Sequence, residues 1–288
     1  MQLAALSREA PILIAGPTAS GKSGLAMELA ARDGRTVVNA DALQVYANWR
    51  ILTARPSISD EAGLPHLLYG HIARDQDYSV GHWLREVGAV LDRPVVIVGG
   101  TGLYFRALTE GLAEIPPISP ETRALADARM AAEGSHALLS ELDGQTATRI
   151  DRNNPARVQR AWEVLHQTGR GLASWQTDTP PALLPLSACE PVVLRPEVGW
   201  LDGRIKRRFQ QMMRDGALAE VESESPFWLP NRPSSRAIGA VELLGCLKGE
   251  SRMEDAVQAA ILASRQYAKK QRTWFRTRMS EWREIIPR

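Results

Sequence analysis

The chain has 288 residues, 44% hydrophobic and 24% charged, with two cysteines; this composition suits a globular protein with a packed core and argues against disorder, a collagen-like repeat or a disulfide scaffold. No uncharged apolar stretch approaches the roughly 18 residues of a membrane span, the start MQLAALSREAP lacks the basic region of a secretory leader, and Cys189 and Cys246 lie far apart, so a reduced, cytoplasmic protein without membrane association is expected. The net charge of +2 is divided unevenly: residues 1–200 hold 18 Lys/Arg against 22 Asp/Glu, whereas residues 201–288 hold 17 against 11, an asymmetry suited either to a polyanionic partner or to a solvated helix face.

PILIAG (11–16) reads as a buried strand. It runs into GPTASGKS and then LAMELAAR, where Leu25, Leu29 and Ala30 recur at helical spacing. TVVNAD (36–41) is a second strand. A helix carrying Trp83, Leu84, Val87 and Val90 leads to a third strand, PVVIVGG (94–100). Near-continuous apolar strands alternating with helices predict an α/β fold, a doubly wound parallel sheet of the phosphate-loop type. The pattern changes after Ile115-Pro116-Pro117. Between about Leu112 and Ala188 no strand-like run occurs, and ETRALADARMAAEGSHALLSEL and PARVQRAWEVLHQTG read as helices. The division expected is a core of 1–112 with 189–288 and a helical insertion of 113–188. PVVLRP (191–196) returns to the sheet, and the remainder reads as helical.

Gly16, Pro17, Thr18, Ala19, Ser20, Gly21, Lys22 and Ser23 fit G-x-x-x-x-G-K-[ST] between a strand and a helix. The glycines let backbone N–H groups converge on a phosphate, Lys22 adds a charge, Ser23 offers a hydroxyl to Mg²⁺, and the helix N-terminus faces the anion. No strand ends in the Asp that a nucleotide hydrolase would use to hold its metal, so transfer with a diphosphate leaving group stays open while an ATP-driven motor is disfavoured. Asp41 and Thr101 each follow a strand, at the end where ligands bind open parallel sheets. Asp41 suits a general base, or a helix N-cap, or an outer ligand of Mg²⁺. Thr101 suits a hydroxyl beside a leaving group, or an N-cap or turn hydroxyl in the Gly-Gly-Thr-Gly bend.

Beyond the phosphate loop, NADALQVY (39–46), TARP (53–56), PHLLYG (65–70), YSV (78–80), VGGTGLYFRAL (98–108), NPARVQRAWEV (154–164), RIKRRF (204–209), SSRAIGAVE (234–242) and SRQYAKKQRTWFR (264–276) follow in order. This series resembles the bacterial isopentenyl-tRNA transferase family, the tRNA dimethylallyltransferases, over essentially the whole chain. The resemblance implies transfer of a dimethylallyl group from dimethylallyl diphosphate to N6 of the adenosine at tRNA position 37, beside the anticodon. It makes Asp41 the base and puts Thr101 beside the reacting centre. It assigns Gly16 to Ser23, with Mg²⁺, to the diphosphate, helped by Arg204, with Arg208 as the second candidate. It places Asp41, Ala42, Leu43, Gln44, Thr101, Arg123, Gln159, Arg160, Ala161, Trp162, Glu163 and Arg236 at the anticodon stem-loop. Ala42, Arg55 and Val241 depart from residues common in the family. A monomer is expected.

Near the C-terminus Arg265, Lys269, Arg272 and Arg276 are spaced for one helix face, while Val257, Ile261, Ala268, Phe275, Met279 and Trp282 trace an apolar stripe on another. The cations suit tRNA phosphates; Tyr267 and Trp274 read as packing aromatics, and His66 and His82 as structural rather than zinc ligands. A small-molecule or nucleotide kinase, and a noncatalytic RNA-binding module, are the competing readings.

Overall fold

The computed structural model describes residues 6–287. The chain forms two compact units, one of residues up to Thr109 together with those from Leu184, the other Glu110–Leu183, so the insertion begins and ends a few residues before the expected 113–188.

The larger unit is built on a six-stranded sheet: β1 (Ile12–Ala15), β2 (Thr36–Asn39), β3 (His66–Leu67), β4 (Val95–Gly99), β5 (Glu190–Leu194) and β6 (Arg283–Ile285). Every pairing is parallel, in the order β3-β2-β4-β1-β5-β6. The expected strands are the four central ones. The edge strands β3 and β6 escape sequence reading because they have two and three residues and carry His66, Arg283 and Glu284 rather than an apolar run. Side chains alternate across the sheet. Leu13, Ala15, Val38, Ala40, Val95 and Ile97 meet Trp83, Val87, Phe105, Phe275 and Trp282 on one face. Ile12, Ile14, Val37, Val96 and Val98 meet Leu25, Ala26 and Leu29 on the other.

A further apolar cluster lies beyond the sheet, where the helices Val198–Arg214, Ala217–Glu224, Ala240–Leu247 and Met253–Arg278 enclose Leu201, Ile205, Phe209, Leu243 and Ile261 with Trp49 and Leu52. Those last two belong to the long loop after β2. Glu220 fixes that loop by accepting the backbone N–H groups of Arg50, Ile51 and Leu52 at 2.6–2.9 Å. Trp49 Nε1 donates to Ser234 O at 2.6 Å. The smaller unit has its own core of Ala126, Leu138, Val158 and Trp162. Its helix Pro155–Thr168 starts on an Asn154 side-chain cap with Pro155 in the first turn, and stops at Gly169, whose φ of 67° ends the helix.

The sheet order determines what can meet at its carboxyl edge. β4 lies between β2 and β1, with Val98 level with Asn39 and Gly99 level with Ala15. The residues that follow these strands therefore emerge side by side: Asp41 after β2, Thr101 after β4, and the phosphate loop after β1. This proximity needs Gly99, where a Cβ would stand 1.9 Å from Ala40 O, a backbone atom that cannot turn aside. Gly99→Ala should therefore destabilise the protein by about 1–3 kcal/mol, read as a Tm lowered by roughly 3–10 °C; an unchanged melting curve would show that the β2–β4 spacing is not so tightly set.

Candidate active site

The helix Lys22–Asp33 begins at Gly21, in the left-handed region at φ 92°, and has no side-chain cap. Its first N–H groups lack partners within the helix, and its dipole directs positive charge at the same point. The loop before it curls through Ala19, also left-handed at φ 62°. Its crest is tied down by residues far away in the sequence: Arg204 Nε donates to Ala19 O at 2.9 Å, an Arg208 amino group donates to Thr18 Oγ1 at 2.7 Å, and Gln271 Oε1 accepts the Thr18 N–H at 2.8 Å. Ser20 is buried, its Oγ packed against Gly16 and without a partner, so its hydroxyl faces the protein rather than a ligand. Ser23 is exposed in the first turn of the helix.

Lys22 crosses the loop, with Nζ 3.5 Å from Pro17 O. Burial pulls its pKa down to about 8, an effect opposed by Asp41 and reinforced by Arg208. Burial likewise lowers Arg208 to about 10, again against the pull of Asp41, with Arg204 lowering it further. Sequence reading preferred Arg204 for the diphosphate. The structure gives Arg204 the task of holding the loop, beneath a cation–π contact with Trp200, and puts Arg208 in the cavity.

Asp41 is oriented from both sides. Its N–H donates to Asn39 Oδ1 at 2.8 Å, and its Oδ1 accepts the Leu43 N–H at 3.0 Å. Asn39 is fixed in turn by donating to Asp41 O and Leu68 O. The local turn thus uses one carboxylate oxygen; among the described residues Oδ2 accepts no hydrogen bond, and it lies 3.3 Å from where a Cβ on Gly100 would be. Thr101 braces this turn: its Oγ1 accepts the Ala42 N–H at 2.9 Å and its N–H donates to Ala40 O at 3.2 Å. Thr101 is not among the residues that line the cavity; its position next to Asp41 is that of a brace.

One cavity joins the loop crest at Thr18, the Asp41 carboxylate and Arg208. Thr18, Asp41 and Arg208 form its polar part, Leu52, Ile205, Phe209, Met212 and Ile238 its apolar wall, and Leu43, Thr53, Ser264 and Tyr267 complete it. Tyr267 is therefore more than a packing aromatic, and burial pushes its phenol well above the ordinary range. Trp274 does pack, its ring occupying the space a side chain on Gly102 would need. His66 and His82 are structural, as expected: His66 bonds Leu64 O, and His82 closes a capping box with Ser79. Gln271, absent from the sequence-based candidates, is buried and bridges two parts of the site, Nε2 donating to Gly100 O at 2.9 Å.

The residues expected at tRNA fare unevenly. Gln44 spends its amide on Thr53 O and Ala54 O. In the smaller unit Ala161 and Trp162 are buried in the helical core, which corrects their assignment as direct RNA contacts. Glu163 is only 2% exposed and is flanked by Arg123 at 3.4 Å and Arg160 at 3.7 Å; Gln159 donates to it and to Asp127. Arg236, Lys269 and Arg276 are exposed. Arg265 is half-buried near Asp202, and Arg272 has a buried Nε without a partner, so the cationic row is not uniformly presented. Among the described residues no group of three His, Cys, Asp or Glu could hold a metal ion unaided, and no helix is long and apolar enough to cross a membrane.

The IPP transferase family model matches residues 44–278, and the isopentenyl transferase model residues 10–66. The chain is 62% identical over 287 residues to a tRNA dimethylallyltransferase of Cereibacter sphaeroides strain KD131, covering 99% of this chain and 91% of that protein. It is 56% identical to one of Dinoroseobacter shibae, covering 99% and 97%. The crystal structure of the full-length tRNA isopentenylpyrophosphate transferase from Bacillus halodurans superposes with a TM-score of 0.68 at 29% identity, over 96% of this chain and 90% of that one. A eukaryotic dimethylallyltransferase acting on tRNA shares the fold, with a TM-score of 0.80 at 22% identity over 96% of this chain and 74% of that one.

A cation titrating near pH 8 has a direct consequence. Lys22 is charged below that pH and loses its charge above it, so affinity for inorganic pyrophosphate should fall as pH rises through about 8, as followed by calorimetry between pH 7 and 9. Lys22→Met should bind weakly throughout and lose this dependence; a variant with the native pH profile would remove Lys22 from the anion site.

Proposed function

The chain belongs to the IPP transferase family, and we propose that it transfers a dimethylallyl group from dimethylallyl diphosphate to N6 of the adenosine at position 37 in the anticodon loop of tRNA, releasing diphosphate. The observation that carries this reading is the single cavity in which an anion-binding end, an oriented carboxylate and an apolar wall adjoin. A prenyl diphosphate is a molecule of that form, a small branched hydrocarbon on a multiply charged head. A kinase would leave the apolar wall without a task, and a binding module would need no oriented carboxylate.

The exocyclic amine of adenine is a poor nucleophile because its lone pair is delocalised into the ring. Attack on C1 of the prenyl group forms the N6–C1 bond as the bond from C1 to the diphosphate oxygen breaks. Asp41 Oδ2, free of local hydrogen bonds, is the atom suited to receive the amine proton. The electron pair leaves with the diphosphate, whose charge is met by Lys22, Arg208 and the uncapped N–H groups of the helix Lys22–Asp33. The apolar wall keeps water from the allylic carbon. Ser23 would hold Mg²⁺, a hard cation that takes few protein ligands and completes its shell with phosphate oxygens and water, and its charge would further stabilise the departing diphosphate.

For the amine to reach Asp41 the base must leave its stack, which costs a few kcal/mol and least in a loop. Exposed Arg236, Lys269 and Arg276 suit the flanking phosphates. The reading carries a cytoplasmic setting, suited to the free thiols of Cys189 and Cys246, and a monomer.

Incubating the protein with unmodified tRNA, Mg²⁺ and dimethylallyl diphosphate should yield an adenosine heavier by one prenyl group. Asp41→Asn should lower the transfer rate by on the order of 10²–10⁴, with tRNA affinity largely kept, and Thr101→Ala should give a smaller defect through a loosened turn. Normal rates in both would refute these roles. Binding to tRNA should weaken steeply with salt. Replacing Lys269 and Arg276 together by Gln should reduce the slope of log affinity against log salt by roughly 1.5, the share of two phosphate contacts; an unaltered slope would make that face a merely solvated one.

A further inference from the structure

Resting on the reaction just proposed, the geometry points to Gln271 as a positioning residue that sets the phosphate loop against the strand end carrying the catalytic carboxylate. Its amide uses both ends, and both partners belong to the site. Oε1 accepts the Thr18 N–H at 2.8 Å on the loop crest, and Nε2 donates to Gly100 O at 2.9 Å beside Thr101. The residue is 5% exposed, and a Cβ on Gly100 would meet Gln271 Nε2 at 2.3 Å and Asp41 Oδ2 at 3.3 Å, so the amide and the carboxylate both lie close to Gly100.

These two bonds have a specific consequence. Tying the Thr18 N–H fixes the Pro17–Thr18 peptide plane, just ahead of the left-handed turn at Ala19, and so helps to set the direction of the N–H groups that follow. Fixing Gly100 O settles the start of the Gly100-Thr101 bend on which the Asp41 turn leans through Thr101. Neither ionised glutamate nor methionine can do both. Glutamate lacks the donor when ionised, and methionine fills the space without either bond. Gln271 also lies on the helix Met253–Arg278, between the exposed cations Lys269 and Arg276. The helix proposed to meet tRNA phosphates on its outer face is thus the one that sets the diphosphate loop on its inner face.

Three variants test this role, Gln271→Met, Gln271→Glu and, as a control on the outer face, Lys270→Gln. The readouts are inorganic pyrophosphate affinity by calorimetry, tRNA affinity by filter binding, steady-state transfer and the melting temperature. For Gln271→Met we expect pyrophosphate affinity and kcat each down roughly tenfold, the low end of what losing two well-directed hydrogen bonds should cost, with tRNA affinity unchanged within twofold. For Gln271→Glu we expect a similar loss at pH 8 that is recovered as pH falls towards 5.5. The protonated acid then donates to Gly100 O as the amide does, and burial beside Asp41 favours that neutral form over the ionised one, against the pull of Lys22 and Arg208. A role confined to packing would show a lower melting temperature with no such recovery. Should Gln271→Met fail to fold, the Glu variant decides alone: a ratio to the native protein that stays constant with pH overturns the proposal. Native pyrophosphate affinity in a folded Gln271→Met overturns it as well. If the native protein bound pyrophosphate, the variants lost it as described, and no prenylated adenosine formed, the reaction assigned above would fail while the positioning role of Gln271 would stand.

Discussion

The curled phosphate loop is the constraint on which the rest of the site depends, and its own sequence does not suffice to hold it. A loop that turns its N–H groups towards an anion leaves them pointing at each other's positive ends when no anion is present. It also carries a non-glycine residue, Ala19, in the left-handed region, which is strained for an L side chain. The compensation comes from two C-terminal helices. Arg204 and Arg208 reach the crest from Val198–Arg214, and Gln271 reaches it from Met253–Arg278. These ties join residues 185–253 positions apart in the chain, so the anion site becomes complete only when the last third of the protein has packed.

The same packing explains why glycine recurs after β4. The sheet brings β2, β4 and β1 to a common edge, and three things converge there: the Ala40 carbonyl, the Gln271 amide and the Trp274 ring, each occupying the space a side chain would need on Gly99, Gly100 and Gly102 respectively. The GGTG run is thus a place where backbone must be approached from three directions. Thr101, the one residue in it with a side chain, uses its hydroxyl to hold the Asp41 turn. Close approach, more than turn-forming freedom, is what these glycines supply.

Much of this was legible in the sequence because it depends on local rules. The central strands are apolar runs, the helix ends carry Asn-Pro and Gly signals, and the phosphate loop has a fixed spacing. What escaped reading depends on distant partners. β3 and β6 form only because a sheet edge is there to receive them. The burial of Ala161 and Trp162 follows from helix packing inside the smaller unit, whereas the family pattern indicates only that the stretch matters. Gln271 could have been found. The apolar stripe on the last long helix, Val257, Ile261, Ala268, Phe275, has two gaps of seven residues, and helical spacing fills them with Ser264 and Gln271. Both are polar residues in register with a buried face, and both prove to be at the site, Ser264 lining the cavity and Gln271 bracing it. A polar residue that interrupts a buried stripe signals a partner to be satisfied.

The electrostatics of the pocket follow from that construction. Lys22 and Arg208 are drawn into a desolvated space where Asp41 is the carboxylate that offsets them, and burial lowers both cations to about 8 and about 10. Two partly buried cations beside one carboxylate leave a net positive charge there, which is unfavourable while unpaired. A bound anion supplies the missing pairing. Binding of an anion to the folded state would therefore stabilise it by an amount that grows with the logarithm of the free anion concentration once this exceeds the dissociation constant. An uncapped helix end and two desolvated cations beside a single carboxylate are thus unfavourable on their own and suit an anion, while the braces on the loop crest hold the backbone in place to receive one.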